Sequence, residues 1–484
     1  MAQLRVRAVA VLSVAAFVLA ACGKDREATP SSTAAPVTTA APVGTGGSTD
    51  STTAVTDTTA PAGPTFGDAP WPCGPGDGAN ADDGSETGVT KDSVSIATGD
   101  DAGYAGSPGL SHEITDAMKA LVAQCNELGG INGRKITMNY YDAKLFEVPA
   151  AMQSACDAGN FFLVGEGWAF DSNQEEIRLG CKLPAVPTYT VSAAFAHGKD
   201  VYMGVPNPAD ETTTAFFAQM AKLFPEQVKH VATLTGAFSA TQETRDRLVE
   251  VAPKFGWAFS ESTLEHNPLG EADWTPFVKQ IADSGAQILS WQGTCLPHLL
   301  NVAQSAKANG LNLIIAADSN HYARECADAN TTGALDNMHI RMAFIPFEEA
   351  SVNKATQDYL DMMKKYGGDV AMLGAQATSS FLLWATAASA CGATLTRACV
   401  LQNLANTHSW TGHGLHAETD PGSNHPPKCG LIIKLVGTTY SRVVPAEPGT
   451  YECDDSWITP ITNTPGLLAA KLDANRISQQ FAAG

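Results

Sequence analysis

Acidic, polar and aromatic residues follow the apolar, strand-like runs of this chain, where they could hold a small solute. The run SVSIATG, for example, is followed by Asp100 and Asp101, and Tyr104 comes shortly after. Carboxylates suit an ammonium group, whereas free backbone N–H groups at helix N-termini suit a carboxylate. The other candidates at such strand ends are Asp142, Glu166, Gly167, Trp168, Thr188, Tyr189, Thr190, Gln292, Gly293 and Asp318.

Three of these candidates have an ordinary structural alternative. Tyr104 and Trp168 could simply fill a loop, and Asp318 could cap the turn after its strand LNLIIAAD. Ligands of open α/β sheets bind beyond the carboxyl ends of the strands. This position favours ligand contact for Asp318 and leaves both interpretations open for the two aromatic residues.

Sequence signatures of catalysis and of cofactor binding are missing. GxxxxGK[ST], GxSxG and HExxH do not occur, and Gly165-Glu166-Gly167 lacks the third glycine of a dinucleotide loop. We therefore predict no enzymatic activity and no cofactor. The segment 408–425 could bind a metal or form a solvated loop, and its histidine spacing, which matches no standard zinc template, favours the loop. Its histidines are His408, His413, His416 and His425.

Alternating helices and strands must position these residues. In CNELGGINGRKITMNYYDAK (125–144), an amphipathic helix ends at Gly129-Gly130, Asn132-Gly133 makes a turn, and a strand runs to Asp142. Such helix–strand pairs continue to residue 344 in two successive series, which include a strand at VYMGV (201–205) and a helix at 210–223. This alternation builds parallel sheets covered by helices. The chain is therefore predicted to be an α/β protein with two Rossmann-like lobes.

The last third of the chain departs from this alternation of helices and strands. Helices are expected at 352–365, 371–390 and 396–405, followed by a hairpin at 429–444. The nearly apolar helix 371–390 contains Gln376 and four hydroxyl residues, which favours a buried helix over a membrane span. The net charge of −20 argues against a nucleic-acid partner.

The first 22 residues have the form of an export signal. Arg5 and Arg7 precede the apolar run AVAVLSVAAFVLAA, which is short for a membrane span. The end of this run, Leu-Ala-Ala-Cys-Gly around Cys22, resembles the lipobox of bacterial lipoproteins. The resemblance implies cleavage before Cys22 and a lipid anchor on it, and the alternative is an ordinary secretory signal. Residues 22–70, rich in Thr, Ala, Pro, Ser and Gly, are expected to form a flexible tether.

Without Cys22, ten of the 11 cysteines remain, an even number that suggests disulfides in an exported chain. The count alone does not determine the connectivity. Proximity along the chain and between predicted elements favours one set of pairs. These are Cys391–Cys399, Cys429–Cys453, Cys295–Cys326 and Cys156–Cys181, which leaves Cys73 for Cys125.

The chain resembles the branched-chain amino-acid (Leu/Ile/Val) binding protein family, the type I solute receptors of ABC importers. The segments that carry the resemblance are NELGGINGRKITMNYYDA, FFLVGEG, KLPAVPTYT, AQILSWQG, AQSAKANGLNLIIAAD and GAQATSSFLLWATAASACG. It covers roughly residues 90–440, and GGINGRKI is its most specific part.

The resemblance implies a type I periplasmic binding protein fold, in which the chain crosses three times between the lobes. The crossings should fall near Pro206, near Phe344 and within 415–430. In amino-acid-binding members two loops of the first lobe hold the ligand carboxylate, and they match Trp168-Ala169-Phe170 and Tyr189-Thr190-Val191. An acidic residue of the second lobe holds the ammonium group, which matches Asp318, expected to face Trp168 and Thr190.

These observations predict a lipid-anchored, extracytoplasmic substrate-binding protein of an ABC importer, monomeric, with an amino acid or similar small polar molecule as ligand. A sensor of the same fold without a permease, or a secreted enzyme, are the alternatives. Residues 88–206 plus 345–415 should form lobe one, and 207–344 plus 429–460 lobe two. Residues 1–21 would be the signal and 461–484 a C-terminal tail.

Overall fold

The computed structural model describes residues 63–77, 80 and 86–482. The predicted export signal, the lipobox cysteine Cys22 and the first part of the predicted tether lie outside the described residues.

Lobe one is built on a sheet of four parallel strands. Its order places the first strand, Ser93–Asp100, between the second and the third. The connections that leave the first and the third strand therefore run in opposite directions along the sheet, which places a switch point between the carboxyl ends of these two strands. From edge to edge the strands are Lys135–Asp142, Ser93–Asp100, Phe162–Val164 and Ala185–Val186.

Lobe two repeats this order in a larger sheet. Its first strand, Val231–Gly236, also lies between the second and the third, and five strands run parallel. The hairpin Cys429–Val436 and Thr439–Val444 adds two antiparallel strands at one edge. The parallel strands, edge to edge, are Phe259–His266, Val231–Gly236, Ile288–Gln292, Ile314–Ala317 and Met338–Met342, and Glu452–Cys453 pairs with the hairpin.

The helices follow the predicted alternation and cover both sheets. Two predicted elements differ. The helix expected at 210–223 begins only at Ala215, because Glu211–Thr213 pairs with Ile458–Pro460, and the strand expected at VYMGV makes a single bridge from Val201 to Ala185. The helices are His112–Leu128, Val148–Asp157, Ser172–Gly180, Ala193–Ala196, Ala215–Leu223, Ser239–Val251, Thr275–Asp283, Leu300–Ala308, Arg324–Ala329, Lys354–Tyr366, Met372–Ser389, Arg397–Ala405 and Pro465–Ala470.

The glycine pair at 129–130 joins a helix to a strand in lobe one. Gly130 has a φ of 82°, and a Cβ atom there would lie 2.0 Å from the carbonyl oxygen of Arg134. The tight turn buries Arg134, whose Nε donates to Thr90 O at 2.8 Å and whose Nη2 donates to Ala393 O at 2.7 Å. The two glycines are needed because the backbone folds closely onto itself around this arginine.

All five predicted disulfides are confirmed. Each closes a local loop or joins neighbouring elements, with sequence separations from 8 to 52 residues. They are Cys73–Cys125, Cys156–Cys181, Cys295–Cys326, Cys391–Cys399 and Cys429–Cys453.

The ordered body begins earlier than the sequence suggested. Residues 63–70 were expected in the tether, but Thr65–Phe66 and Ala69–Pro70 form a small hairpin. Phe66 is buried against the ring of Trp71, and Gly67 N donates to the carboxylate of Asp358 at 2.7 Å. The hairpin is ordered because it buries an aromatic side chain that a flexible tether would expose.

Three segments connect the lobes side by side, as the predicted fold requires. Phe344 pairs with His416 in an antiparallel bridge, and Thr419 Oγ1 donates to Gly204 O at 2.8 Å. His416 is buried, and its Nε2 accepts from Ser379 Oγ at 2.7 Å. This serine lies in helix Met372–Ser389, which packs against His112–Leu128.

Within the described residues, no helix is long and apolar enough to cross a bilayer.

The C-terminal tail contacts both lobes and the connecting segments. Helix Pro465–Ala470 packs on Ala193–Ala196 of lobe one. Glu250 of lobe two accepts from the backbone N–H groups of Thr462 at 2.7 Å and of the next residue. Arg476 makes a bidentate ion pair with Asp210, and both N–O distances are 2.7 Å.

Candidate functional site

A cavity of about 290 Å³ lies between the two lobes, at the carboxyl ends of both sheets. This volume is at the lower end of the range of small-molecule sites, about 300–1,000 Å³. Lobe one, lobe two and the connecting segments all contribute wall residues, for example Thr190, Gln292 and Phe344.

Seven of the predicted ligand-binding residues line this cavity together. They come from loops that follow strands of both sheets. These residues are Tyr104, Ala169, Tyr189, Thr190, Gln292, Gly293 and Asp318. Their contact with a ligand stays a prediction, but the structure brings them to one place.

The other four, Glu166, Gly167, Trp168 and Phe170, are outside the wall. Trp168 is fully buried, and its indole N–H donates to Tyr141 O at 3.2 Å. The predicted arrangement of Asp318 facing Trp168 is therefore not observed, because the indole packs under the loop. Gly167 O accepts from Tyr189 O–H at 2.9 Å and so fixes a wall residue. Ligand contact by these four stays a prediction, and their observed contacts are with protein.

Buried carboxyl groups hold the loops of lobe one. Asp101 accepts from the backbone N–H groups of Ala169 and Leu145, both at 2.8 Å. Asp171 accepts from Val191 N at 2.6 Å and from Ser192 N at 3.0 Å. Burial raises the pKa of Asp101 to about 6 and that of Asp171 to about 7, although backbone N–H groups bind both carboxyls.

Glu166 likewise holds the loop that follows strand Phe162–Val164. Its Oε1 accepts from Trp168 N at 2.8 Å and from the Gln174 side chain at 3.2 Å. Because the carboxyl is fully buried, its pKa is raised well above the usual range. These buried acidic residues of lobe one therefore hold the binding loops from the side that faces away from the cavity. Backbone, hydroxyl and apolar groups of this lobe line the cavity itself.

Lobe two presents charge directly to the cavity. Asp318 follows strand Ile314–Ala317 and lines the wall, and its side chain makes no capping hydrogen bond to the turn after it. Its Oδ1 lies 2.8 Å from Nε of Arg341, which also lines the cavity from the neighbouring strand Met338–Met342. The carboxylate expected to hold an ammonium group therefore already has a cationic partner.

An aromatic cluster supports the opposite edge of lobe two. The rings of His266 and Trp291 stack with centroids 5.1 Å apart, and His298 meets His266 edge-on at 5.2 Å. Both histidines line the cavity. Burial lowers the pKa of His266, and it lowers that of His298 to about 4, so both imidazoles are neutral at neutral pH.

The two lobes touch each other around the cavity. Tyr104 O–H donates across the cleft to Pro268 O at 2.6 Å, and Ser107 O–H donates to Leu296 O at 2.7 Å. Phe170 of lobe one meets Phe238 of lobe two with ring centroids 5.3 Å apart. These contacts describe a closed arrangement of the lobes.

The histidines of segment 408–425 do not form a common site among the described residues. His408 pairs with Asp420 at 2.9 Å and His425 with Glu211, while His413 and His416 are buried. The expected solvated loop is therefore wrong for these last two. They pack between the connecting segments, where His416 bonds to Ser379.

Among the described residues, one group of side chains could hold a metal ion, His112 with Asp116 and Asp369. The two carboxylates approach different nitrogens of the same ring, at 3.2 and 3.5 Å. This geometry is that of a histidine between two ion-pair partners.

The sequence reasoning missed Arg341, Phe216 and Asn207, which also line the cavity. A signal existed for Arg341, since a single charged residue interrupts the otherwise apolar strand MHIRMAF. No comparable signal marked Phe216 or Asn207, because their places depend on how the first connection enters lobe two.

Comparisons with known proteins agree with this architecture. The sequence model of a periplasmic binding protein family matches residues 98–439, well over half of the chain. No curated protein sequence matches. Among solved structures, the leucine-binding protein LivK from Thermotoga maritima is 15% identical, with a TM-score of 0.61, covering 72% of this chain and 97% of that one.

Two further solved structures are similar at comparable levels. A fatty acid ABC transporter substrate-binding protein from Thermomonospora curvata is 17% identical, with a TM-score of 0.61, covering 77% of this chain and 95% of that one. A solute-binding protein from R. palustris in complex with 4-hydroxybenzoate is 14% identical, with a TM-score of 0.58 and coverages of 73% and 98%. The family match and the two-lobed fold together lead to one conclusion: the chain belongs to the periplasmic binding protein family.

Proposed function

We propose that this protein is the extracytoplasmic substrate-binding protein of an ABC importer, anchored to the membrane by lipid on Cys22. It binds an amino acid or a similar small polar solute between its lobes and delivers it, as a monomer, to the permease. The observation that carries this proposal is the cavity of about 290 Å³ closed by contacts between both lobes.

The proposal assigns each lobe a part. Residues 88–206 plus 345–415 form lobe one and 207–344 plus 429–460 form lobe two, with 461–484 as a tail across them. The solute contacts the seven predicted residues that line the cavity, from Tyr104 to Asp318. Two-lobed receptors of this kind bind by hinge closure, with the ligand favouring the closed state.

A thermal-shift screen tests the proposal. The panel contains amino acids, amides, polyamines and aromatic or aliphatic acids, and a bound solute raises the melting temperature by mass action. A cavity variant, Thr244→Trp, places a large side chain in the wall and should abolish the shift. Gln280→Trp, on the exposed face of helix Thr275–Asp283, is the matched control and should retain it.

Binding that survives Thr244→Trp at full strength would contradict the proposed site, provided the variant unfolds cooperatively like the parent. A full panel without any shift would contradict the proposed function. The anchor is tested separately, because Cys22→Ala should release a folded protein from the membrane fraction. Retention of this variant with membranes would count against lipidation.

A further inference from the structure

The charged side chains that line the cavity and its side chamber include more guanidinium groups than carboxylates. Among the described residues that line the cavity, Asp318 supplies the one carboxylate and Arg341 the one guanidinium group. A side chamber of about 40 Å³ shares both residues and adds Arg247. Arg247 donates to Val191 O at 2.5 Å and lies 3.8 Å from the carboxylate of Glu243, which lines neither space. Two guanidinium groups and one carboxylate therefore line these two spaces, and carboxylates outside the walls, Glu243, Asp171 and Asp210, act on Arg247.

Arg341 has hydrogen-bond donors that could bind a solute. Its Nε faces Asp318 at 2.8 Å, and neither terminal nitrogen makes a hydrogen bond within the described part of the chain. Its side chain is 33% exposed, and the residue lines the cavity. The planar fork of a guanidinium matches the two oxygens of a carboxylate.

The surroundings of this arginine disfavour a cationic solute. Phe216 lines both the cavity and the side chamber, and Phe238 and Leu431 add apolar wall. An ammonium group near Asp318 would share a carboxylate that already has a cationic partner, and it would meet the repulsion of the Arg341 guanidinium. A carboxylate at the same place can accept hydrogen bonds from the terminal nitrogens of Arg341.

The geometry points to a small apolar carboxylate as the solute, with its carboxylate group bound by Arg341 and the guanidinium positioned by Asp318. This inference rests on the proposed function and names the solute class of that site. It assigns the ammonium group of an amino acid no part in recognition. Asp318 acts by positioning Arg341, and it forms no ion pair with an ammonium group of the solute.

The test uses solutes that differ only in their charged groups. On the leucine skeleton these are leucine, 4-methylpentanoate, 3-methylbutylamine and 4-methylpentanamide, and the corresponding phenylalanine set is measured in parallel by calorimetry. We expect the carboxylate to bind at least as tightly as the amino acid on one skeleton or both. The amine and the amide should bind at least about tenfold more weakly, the loss of one charge-assisted interaction.

Three variants separate the roles of the two residues. Arg341→Met should weaken carboxylate binding about 10- to 100-fold, whereas Asp318→Asn keeps an oxygen acceptor beside the guanidinium and should cost clearly less affinity than Arg341→Met. Arg341→Lys keeps the charge but loses the fork, and it should be intermediate. Thermal unfolding of each variant checks that the lobe remains folded.

The inference is overturned if the amines bind and the carboxylates do not, or if Asp318→Asn costs more affinity than Arg341→Met. Binding confined to uncharged or cationic solutes of the wider panel would also overturn it and would leave the proposed function intact. A protein that binds no solute of any class would instead contradict the proposed function itself.

Discussion

Lobe one and lobe two use the same strand order at the cavity, but they place their acidic groups differently. In lobe one, Asp101, Glu166 and Asp171 lie behind the loops and bind backbone N–H groups. In lobe two, Asp318 lies in the cavity wall and pairs with Arg341. One lobe uses its carboxyl groups to shape the site, and the other uses its charges to face the solute.

The difference explains how one topology can supply two complementary surfaces. A carboxyl group that accepts several backbone hydrogen bonds fixes a loop in one conformation without presenting its charge to the cavity. An ion pair at the wall keeps one member available to a ligand when its other donors are unpaired. We therefore expect changes to the buried charged groups of lobe one to act mainly on stability, and changes to the Asp318–Arg341 pair of lobe two mainly on affinity.

The largest effect on stability should come from a buried ion pair of lobe one. Arg178 and Glu175 are both 1% exposed, and Arg178 also donates to Leu183 O and Lys199 O. Arg178→Met leaves a buried carboxylate unpaired and should cost about 3–5 kcal/mol of unfolding free energy.

The matched control is an ion pair on the surface of lobe two. Lys279 and Asp283 are 72% and 65% exposed, so Lys279→Met should change the unfolding free energy by less than about 0.5 kcal/mol. Chemical denaturation measures both variants. Equal losses would contradict the contrast between a buried and a solvated pair.

A change of pH should alter the local stability of the two lobes in opposite directions. The pKa of Asp171 is raised to about 7, so its native state binds protons more tightly than the unfolded chain does. Its contribution to stability is present at low pH and is lost as the pH rises through about 7. The pKa of His298 is lowered to about 4, so its contribution is lost as the pH falls from about 6.5 to 4.

Hydrogen exchange of backbone amides, corrected for the intrinsic pH dependence of exchange, can separate these responses. Between about pH 8 and pH 5, protection should rise in lobe one and fall in lobe two. Asp171→Asn should remove part of the rise in lobe one and leave lobe two unchanged. A parallel response of both lobes would refute this assignment of the titrating groups.

The smallest effect should come from the contact between the lobes. Tyr104→Phe removes the O–H that donates to Pro268 O across the cleft and keeps the ring. Solute affinity should fall about two- to tenfold, because a neutral hydrogen bond contributes about 0.5–1.5 kcal/mol. The unfolding free energy should hardly change, and a large loss of stability would show that this bond belongs to the core of one lobe.

Much of this arrangement could be predicted from the sequence, for identifiable reasons. The alternation of helices and strands and the GGINGR turn are local patterns, and the five disulfides join near neighbours in the chain or in the fold. The strand ends were also predictable, which is why Thr190, Gln292 and Asp318 lie together in the cavity wall.

The direction of side chains within those loops was not predictable. Trp168 follows its strand as expected, but its ring packs beneath the loop, a choice determined by distant residues such as Tyr141. The partner of Asp318 was also missed, because Arg341 comes from another strand and only the sheet order makes them neighbours. Residues 63–70 were misjudged because a low-complexity composition continues almost to the buried Phe66.

The central claim is that a solute is bound between two lobes that close on it. Small-angle X-ray scattering tests it directly, using the solute that gives the largest thermal shift and Thr244→Trp as the non-binding control. We predict that the radius of gyration falls at saturation to the value of the closed structure, whereas the variant does not respond. A parent profile that stays the same at saturation would contradict closure on the solute.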